Sequence, residues 1–371
     1  MGCQQSTPSS SPPTPQLQTY TMLHPGPIQA SATLGATSQL LTGGDDGLCC
    51  LTCLSTGFTA TLPQSHKKGI TSLSTFENAS CASRGYFSSS RDLTIRLWSA
   101  DRESSGGDSA FKELLNIESE HSLTPTAISN TKDGTRLVSG GRDYVLKVYD
   151  VFSGGKEVSS KVISSNKTSR NLVTCLDWWK ASGGEGNSVN LFSQGSEDLT
   201  CRVWDAREDG LYPSITFGKY VYFPLSVSNS SCGNQVTTSS KGFNGNGCEG
   251  RVWDVRSPAK PLLMLEGHRQ DATSCAYVNL GEKVVVVTVS KDEAMIVWDG
   301  VSGEILAKHE EEDCGMWTSI SAVGEGVEID KERVAVVGTT FGGEVFAFGM
   351  NWTGLAVDVV LLRRWGECLE R

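Results

Sequence analysis

The stretch SSSRDLTIRLWSA, residues 88–100, carries the pattern that decides the fold. Asp92 stands six residues before Trp98, and the residues between them alternate with the two-residue period of a β-strand. An Asp followed six residues later by an aromatic ring returns in SGGRDYVLKVYDV (139–151), QGSEDLTCRVWDA (194–206) and VSKDEAMIVWDG (289–300). One turn-and-strand unit that recurs along a chain predicts a propeller or another repeat array.

Three weaker copies of this unit bring the number of repeats to seven. In two of them a glycine replaces the Asp, so we expect those two repeats to tolerate substitution better than the others. The three copies are Asp46 with Thr52, Gly247 with Trp253, and Gly342 with Phe348.

The repeats resemble the WD-repeat family, whose members fold as β-propellers with four antiparallel strands per blade. The resemblance implies an all-β fold in which residues 17–371 form a single seven-bladed propeller. In that family a His, a Ser or Thr, the turn Asp and the aromatic residue form a buried, hydrogen-bonded tetrad. The matching residues are His24, Thr42 and Asp46; His66, Ser88, Asp92 and Trp98; His121, Ser139, Asp143 and Tyr149; and His268, Thr288, Asp292 and Trp298.

A Ser, a His and an Asp close together also suggest a catalytic triad, but their repetition favours a structural role. A nucleophile and its general base occur once per active site, whereas this set returns in several repeats. The pattern Gly245-x-Gly247-x-x-Gly250 leads into a strand, not into a helix that could hold a pyrophosphate. The Cys50 and Cys53 pair has no second ligand pair nearby for zinc. We therefore predict a protein that is not an enzyme, with no catalytic, cofactor or metal site.

Several longer stretches look like the WD repeat-containing protein 31 family. They are SRNLVTCLDWW (169–179), SEDLTCRVWDAREDGL (196–211), KGFNGNGCEGRVWDVR (241–256) and EGHRQDATSCAYV (266–278). The third stretch, with its long glycine-rich turn and missing Asp, is the most specific of the four. The resemblance implies a non-enzymatic factor of cilium-associated trafficking, located in the cilium or at the ciliary base.

The first six residues, MGCQQS, match the N-myristoylation pattern M-G-x-x-x-[ST]. We expect a myristoyl chain on Gly2 and a palmitoyl chain on Cys3, because one acyl chain alone binds membranes only marginally. Residues 1–16 are predicted to be a disordered tail, since Ser, Pro, Gln and Thr bury too little apolar surface to offset the entropy of ordering. The alternative is an unmodified flexible tail.

Composition narrows the class of partner and the compartment. The formal net charge of -10 and the pI near 5.1 argue against a nucleic-acid partner. The 12 cysteines of a long chain without a secretion signal are expected to be thiols in the reducing cytosol. We expect a cytoplasmic, membrane-associated protein that binds other proteins and is monomeric within larger assemblies.

The residues just before the turn Asp are candidate partner contacts, because the family displays them on one face of the ring. Mixed charges at such positions set specificity and association rate more than affinity. These residues are Asp45, Arg91, Arg142, Glu197 and Lys291.

A second hypothesis comes from Arg207 and Arg256, which end two consecutive repeats in the pattern Trp-Asp-x-Arg. This pattern resembles the pairs by which some propellers dock the adaptor of a cullin-RING ubiquitin ligase as substrate receptors. A planar guanidinium suits such docking because it binds carboxylates with two parallel hydrogen bonds. The alternative is that both arginines pair with acidic residues of their own blades.

Ring closure is expected to require the last blade to borrow a strand, so that no sheet edge stays open. LQTYTML (17–23) and GLAVDVVLLRRW (354–365) are both suitable. We favour the C-terminal segment because it reads as the longer strand.

Overall fold

The computed structural model describes residues 19–20, 23–34, 38–62, 65–78, 83–99, 112–154, 157–166, 171–180, 190–207, 212–218, 220–310 and 314–366. In these residues 30 β-strands form seven sheets. The first strand of each sheet packs against the first strands of its two neighbours, so the sheets close into a ring. The predicted all-β, seven-bladed propeller is therefore confirmed.

Blades 1 to 4 each consist of four consecutive antiparallel strands. Blade 1 is β2–β5: Ile28–Thr33, Gln39–Gly44, Cys49–Cys53 and Thr59–Thr61. Blade 2 is β6–β9: Ile70–Asn78, Ser83–Ser90, Thr94–Ser99 and Lys112–Glu118. Blade 3 is β10–β13: Pro125–Asn130, Arg136–Gly141, Leu146–Gly154 and Glu157–Asn166. Blade 4 is β14–β17: Val173–Trp178, Leu191–Ser196, Thr200–Asp205 and Pro213–Phe217.

Blades 5 and 6 follow the same order, and blade 7 has two additional short strands. Blade 5 is β18–β21: Pro224–Asn229, Gln235–Ser240, Gly250–Asp254 and Leu263–Leu265. Blade 6 is β22–β25: Ala272–Asn279, Val284–Ser290, Ala294–Asp299 and Ile305–Glu310. Blade 7 is β26, β28, β29 and β30: Trp317–Ala322, Glu332–Thr340, Val345–Trp352 and Val357–Trp365. Its additional strands are β1, Thr19–Tyr20, and β27, Glu328–Ile329.

The third strand of each blade is buried between neighbouring blades. In β24 every residue from Ala294 to Asp299 is buried. A strand that is covered on both faces reads as a nearly continuous apolar run, and burying one large side chain there stabilises the fold by about 3 kcal/mol. The residue six places after the turn Asp position is buried in all seven blades: Thr52, Trp98, Tyr149, Trp204, Trp253, Trp298 and Phe348.

The residue after the turn Asp position has a left-handed backbone in six blades. Its φ lies between 66° and 87° at Gly47, Leu93, Tyr144, Leu199, Glu293 and Gly343. A bulky residue in this conformation costs about 1–2 kcal/mol. In return the Leu93 carbonyl accepts the Ser119 amide at 3.1 Å, and the Glu293 carbonyl accepts Trp317 Nε1 at 3.0 Å. The first bond ties its turn to the segment that leads into blade 3, and the second ties its turn to the first strand of blade 7.

Ring closure differs from the sequence-based expectation. Blade 7 borrows no main strand, because β30 follows β29 directly in the chain. The favoured C-terminal segment therefore completes the blade, while the N-terminal candidate adds β1 in parallel, with Thr19 opposite Arg364. At the junction with blade 1, Ser31 Oγ lies 2.8 Å from Ser319 Oγ. The two ends of the ring are thus joined by the short β1–β30 pairing and by side chains at the interface of blades 7 and 1.

Candidate functional site

Four blades bring the predicted His, hydroxyl and Asp together. In blade 2, His66 Nδ1 lies 3.2 Å from Asp92 Oδ2 and His66 Nε2 lies 2.8 Å from Ser88 Oγ. Trp98 Nε1 donates to the same hydroxyl at 3.0 Å. Blade 6 repeats this geometry: His268 Nδ1 lies 3.2 Å from Asp292 Oδ1, and Thr288 Oγ1 lies 2.8 Å from both His268 Nε2 and Trp298 Nε1.

Blades 1 and 3 carry variants of the tetrad. In blade 3, His121 Nδ1 lies 3.0 Å from Asp143 and Nε2 lies 2.7 Å from Ser139 Oγ, with the Tyr149 hydroxyl in the position of the indole. In blade 1, His24 bonds Asp46 at 3.1 Å and Thr42 at 3.0 Å. Thr52 occupies the aromatic position there, so the fourth contact of the tetrad is not made.

The electrostatics of these groups suit a structural role. Burial opposes ionisation of Asp292, but hydrogen bonds from His268 and the Arg269 amide outweigh it and lower its pKa to about 2. Burial also lowers the pKa of His121, against the attraction of Asp143, and so favours a neutral ring. All four histidine side chains are fully buried. A substrate has no access to the imidazoles.

Blades 4, 5 and 7 use other residues that sequence reasoning missed. In blade 4, Gln194 Oε1 accepts Trp204 Nε1 at 3.1 Å, and Arg202 pairs with Asp198 at 2.8 Å. In blade 7, Arg364 Nη2 donates to Glu344 Oε1 at 2.5 Å. No histidine marks these positions, so the family pattern does not identify them.

Blade 5 replaces the histidine by Tyr220. The Tyr220 hydroxyl lies 2.8 Å from Thr238 Oγ1, which also accepts Trp253 Nε1 at 3.4 Å. The Arg251 guanidinium stacks 4.5 Å from the Tyr220 ring and pairs with Glu249 at 2.6 Å. Tyr220 precedes Thr238 by 18 residues, the separation that also joins the histidine and hydroxyl of blades 1 and 3. That spacing is the signal that could have found it.

The residues that directly follow the second strand of each blade form a ring on one face, which we call the turn face. In every blade except blade 5, with its long glycine-rich turn, this residue is also the one before the turn Asp position. In every blade the backbone amide of this residue donates to the carbonyl just before the blade's first strand, at 2.8–3.1 Å. This hydrogen bond, present in all seven blades, fixes the backbone position from which each side chain extends. The seven residues are the predicted Asp45, Arg91, Arg142, Glu197 and Lys291, together with Lys241 and Phe341, which sequence reasoning missed.

Basic and apolar groups dominate the turn face of an acidic protein. Arg91 pairs with Asp45 at 2.8 Å, and Lys291 pairs with Asp271 at 2.8 Å. Arg142 is exposed and forms no ion pair within the described residues. The Lys241 ammonium lies 5.1 Å from the Phe223 ring centre, and Phe341 is 51% exposed. This arrangement suits an acidic segment with an apolar anchor.

The two Trp-Asp-x-Arg ends lie at the opposite ends of the third strands, away from the turn face. Arg207 Nη2 pairs with Asp205 at 2.6 Å, and Arg256 Nη2 pairs with Asp254 at 2.6 Å. The hydrogen bonds from Arg256 lower the pKa of Asp254 to about 2. The arginine side chains nevertheless remain 48% and 72% exposed. Each guanidinium thus combines a local ion pair with an exposed surface.

Two further predictions concern the acylated tail, which lies outside the described residues, and the Cys50 and Cys53 pair, which lies in blade 1. Gly2, Cys3 and the rest of the predicted tail, 1–16, lie outside them. Cys50 is buried in β4, Cys53 is half-buried, and both are free thiols. Among the residues that the structure describes, no cluster of His, Cys, Asp or Glu is placed to hold a metal ion. Nor does that part of the chain include a helix that is long and apolar enough to cross a membrane.

Comparisons with known proteins agree with this architecture. The family described as WD domain, G-beta repeat matches residues 57–99 and 112–150. The chain is 28% identical to a ribosome biogenesis protein WDR12 homolog of Nematostella vectensis, over 51% of this chain and 46% of that protein. It is 27% identical to the U3 small nucleolar RNA-associated protein 15 homolog of Xenopus laevis, over 48% of this chain and 30% of that protein.

A third relative covers more of the ring. The WD repeat-containing protein RUP2 of Arabidopsis thaliana is 24% identical over 68% of this chain and 67% of its own length. The first two relatives are matched over less than half of their length. The matched repeats, these relatives and the seven-bladed ring all indicate that this chain is similar to WD-repeat proteins.

Proposed function

We propose that this chain is a non-enzymatic interaction scaffold that binds an acidic protein segment on its turn face. The observation that carries the proposal is the sevenfold backbone bond, which holds Arg91, Arg142, Lys241 and Lys291 in one ring. The ring contains four cationic side chains, Phe341 and two carboxylates, although the whole chain has a net charge of -10. Complementary charge of this kind speeds encounter and selects among partners.

Charge reversal on the turn face tests this scaffold role. In proximity labelling with the labelling enzyme at the C-terminus, the double variant Arg142→Glu, Lys241→Glu should no longer label a defined set of neighbouring proteins. Both side chains lie at the proposed contact. The matched control is Lys260→Glu with Lys331→Glu, two exposed lysines away from the turn face. Loss of the same neighbours from both double variants, or from neither, would contradict the proposal.

The proposal includes a membrane tether through acyl chains on Gly2 and Cys3. Its support is the match of MGCQQS to the acylation pattern and the place of β1 on the outer strand of blade 7, away from the ring centre. Gly2→Ala should move the protein from membranes to the soluble fraction, and Cys3→Ser should be intermediate, since one chain binds reversibly. An unmodified Gly2 in the intact mass of the protein from eukaryotic cells would rule out the tether.

The resemblance to the WD repeat-containing protein 31 family supports a place in cilium-associated trafficking. In that case the neighbours lost with the turn-face variant should be ciliary transport and membrane proteins. The competing expectation, nucleolar neighbours, comes from the relatives named for ribosome biogenesis and for U3 small nucleolar RNA. Enrichment of nucleolar proteins would refute the ciliary role while leaving the scaffold role intact.

A second candidate function is substrate recruitment to a cullin-RING ligase through Arg207 and Arg256. It is favoured by the identical Asp–Arg geometry on two consecutive blades, with both guanidiniums still partly exposed. Arg207→Glu with Arg256→Glu should abolish co-precipitation of the ligase adaptor and leave the fold intact. Co-precipitation that survives this double change, or none from the parent protein, would contradict the idea.

A further inference from the structure

The central channel opens on the face opposite the turn face into a cavity that we call the vestibule. Its volume is about 430 Å³, within the range of sites that enclose small ligands. The vestibule lies where the first strands of blades 1, 2, 6 and 7 end, and Lys132 and Lys180 enter it from the loops that follow β10 and β14. The turn-face ring contributes no residue to it.

Three cations line the vestibule: Lys132, Lys180 and Arg333. Within the described chain none of them forms an ion pair, although acidic residues outnumber basic ones by 42 to 32. Lys180 reaches from blade 4 towards blade 2, where its Nζ lies 3.4 Å from the Thr75 carbonyl. These positive charges line one cavity, and the charge of Asp177, deeper in the channel, acts on Lys180.

Arg333 is held at the wall of the vestibule and has spare donor capacity. Its Nη2 donates to the Asn279 carbonyl at 3.1 Å, while its Nε is buried with no hydrogen-bond partner. A buried N–H without an acceptor is unfavourable in the protein alone. A guanidinium is also the side chain whose fork fits a carboxylate or phosphate with two bonds.

Two of the three nearby carboxylates each interact with a cation, although Glu77 Oε1 accepts no hydrogen bond. Glu77 Oε1 lies 3.7 Å from Arg84 Nε. Asp177, deeper in the channel, accepts the backbone amide and the Nδ2 of Asn229, both at 2.9 Å, and its charge also acts on Lys180. Glu325 is the third, on the rim of the cavity. When Arg84 is counted, four cations stand against these three carboxylates, which leaves one positive charge in excess for an anion.

The remaining wall is apolar and includes Phe76, Val278, Ala322 and Val323. We propose that the vestibule binds a small organic anion: an apolar body with one carboxylate or phosphate group. The body lies against the apolar wall, and the anionic group lies among Lys132, Lys180 and Arg333. This site is separate from the turn face, so it stands or falls independently of the scaffold proposal.

The probe is 8-anilinonaphthalene-1-sulfonate, an aromatic body with one anionic group, with neutral N-phenyl-1-naphthylamine as its uncharged counterpart. The parent protein should bind the sulfonate at one site and more tightly than the neutral compound. Lys132→Gln with Lys180→Gln should weaken sulfonate binding about tenfold and leave neutral binding unchanged. Both lysines are exposed, so the fold should survive, and Lys260→Gln serves as the matched control. Arg333→Gln provides a third, independent variant.

Competition distinguishes the two anionic groups. Displacement of the sulfonate by octanoate identifies a carboxylate site, and displacement by phenyl phosphate identifies a phosphate site. Displacement by neither compound would overturn the proposal. The proposal would also be overturned if the parent protein bound the charged and neutral probes with equal affinity. It would likewise be overturned if the double variant bound the sulfonate as the Lys260→Gln control does.

Discussion

The blades fall into two groups that solve the same problem with different chemistry. Blades 1, 2, 3 and 6 place a buried histidine between a hydroxyl and a turn Asp. Blades 4, 5 and 7 place an arginine against a carboxylate: Arg202 with Asp198, Arg251 with Glu249, and Arg364 with Glu344. The four-stranded sheet is the same in both groups.

The comparison teaches that blade geometry does not depend on one polar motif. A neutral histidine can donate from Nδ1 to the turn Asp and accept the hydroxyl proton at Nε2, so the ring itself adds no buried charge. A buried ion pair instead removes two full charges from water, and its attraction has to offset that desolvation. The arginine blades should therefore be the more sensitive group when one partner is removed.

The largest effect is expected in blade 5, from Glu249→Gln. The change leaves the Arg251 guanidinium buried without its counter-charge, and Arg251 and Glu249 are both almost fully buried. We expect a loss of about 3 kcal/mol in the free energy of unfolding, measured by urea denaturation. The matched control, Glu310→Gln, changes an exposed partner of Lys308 and should have little effect. A Glu249→Gln protein as stable as this control would show that the pair is dispensable.

This expectation reverses the one drawn from sequence. The missing Asp of blades 5 and 7 predicts tolerance to substitution, because the family motif is already broken there. The buried Glu249–Arg251 and Glu344–Arg364 pairs predict sensitivity instead.

A smaller effect is expected in blade 3, from Asp143→Ala. The change removes the acceptor for His121 Nδ1 and for the Ser122 amide, both at 3.0 Å. Leaving these donors unsatisfied should cost about 2 kcal/mol. Asp150→Ala, which removes a partly exposed pair with Arg136 in the same blade, is the control and should cost less. Equal losses in the two variants would contradict a special role for the tetrad.

Acid should weaken the histidine blades through their carboxylates. The pKa of Asp292 is about 2 in the folded protein against an ordinary 3.8. Its stabilising contribution is therefore complete above about pH 4 and is lost as the pH falls through 2. The free-energy difference between the parent and Asp292→Asn should shrink by about 1–2 kcal/mol between pH 4 and pH 2. A difference that is constant over this range would show that Asp292 is not the titrating group.

The sequence was sufficient to predict the ring and the polar contacts of the histidine blades, but not the ion pairs of the arginine blades. The turn Asp and the aromatic residue recur at a fixed separation of six, because one tight turn joins two paired strands, so spacing alone locates them. Arg364 pairs with Glu344 across neighbouring strands, 20 residues away along the chain. That pair follows from the register of folded strands, which no local pattern encodes. Asp198–Arg202 and Glu249–Arg251 are local pairs, four and two residues apart, but the histidine-based pattern does not include them. Lys241 and Phe341 were missed because no Asp follows them to mark their place in the ring.

The smallest effect tests whether Tyr220 substitutes for the missing histidine of blade 5. Tyr220→Phe removes the hydroxyl that lies 2.8 Å from Thr238 Oγ1 but keeps the ring against Arg251. Only one hydrogen bond is lost, so the free energy of unfolding should fall by about 1 kcal/mol. Tyr212→Phe, at a position that is 64% exposed, is the matched control and should leave stability unchanged. If both variants match the parent protein, Tyr220 serves only as packing, and blade 5 depends on its buried ion pair alone.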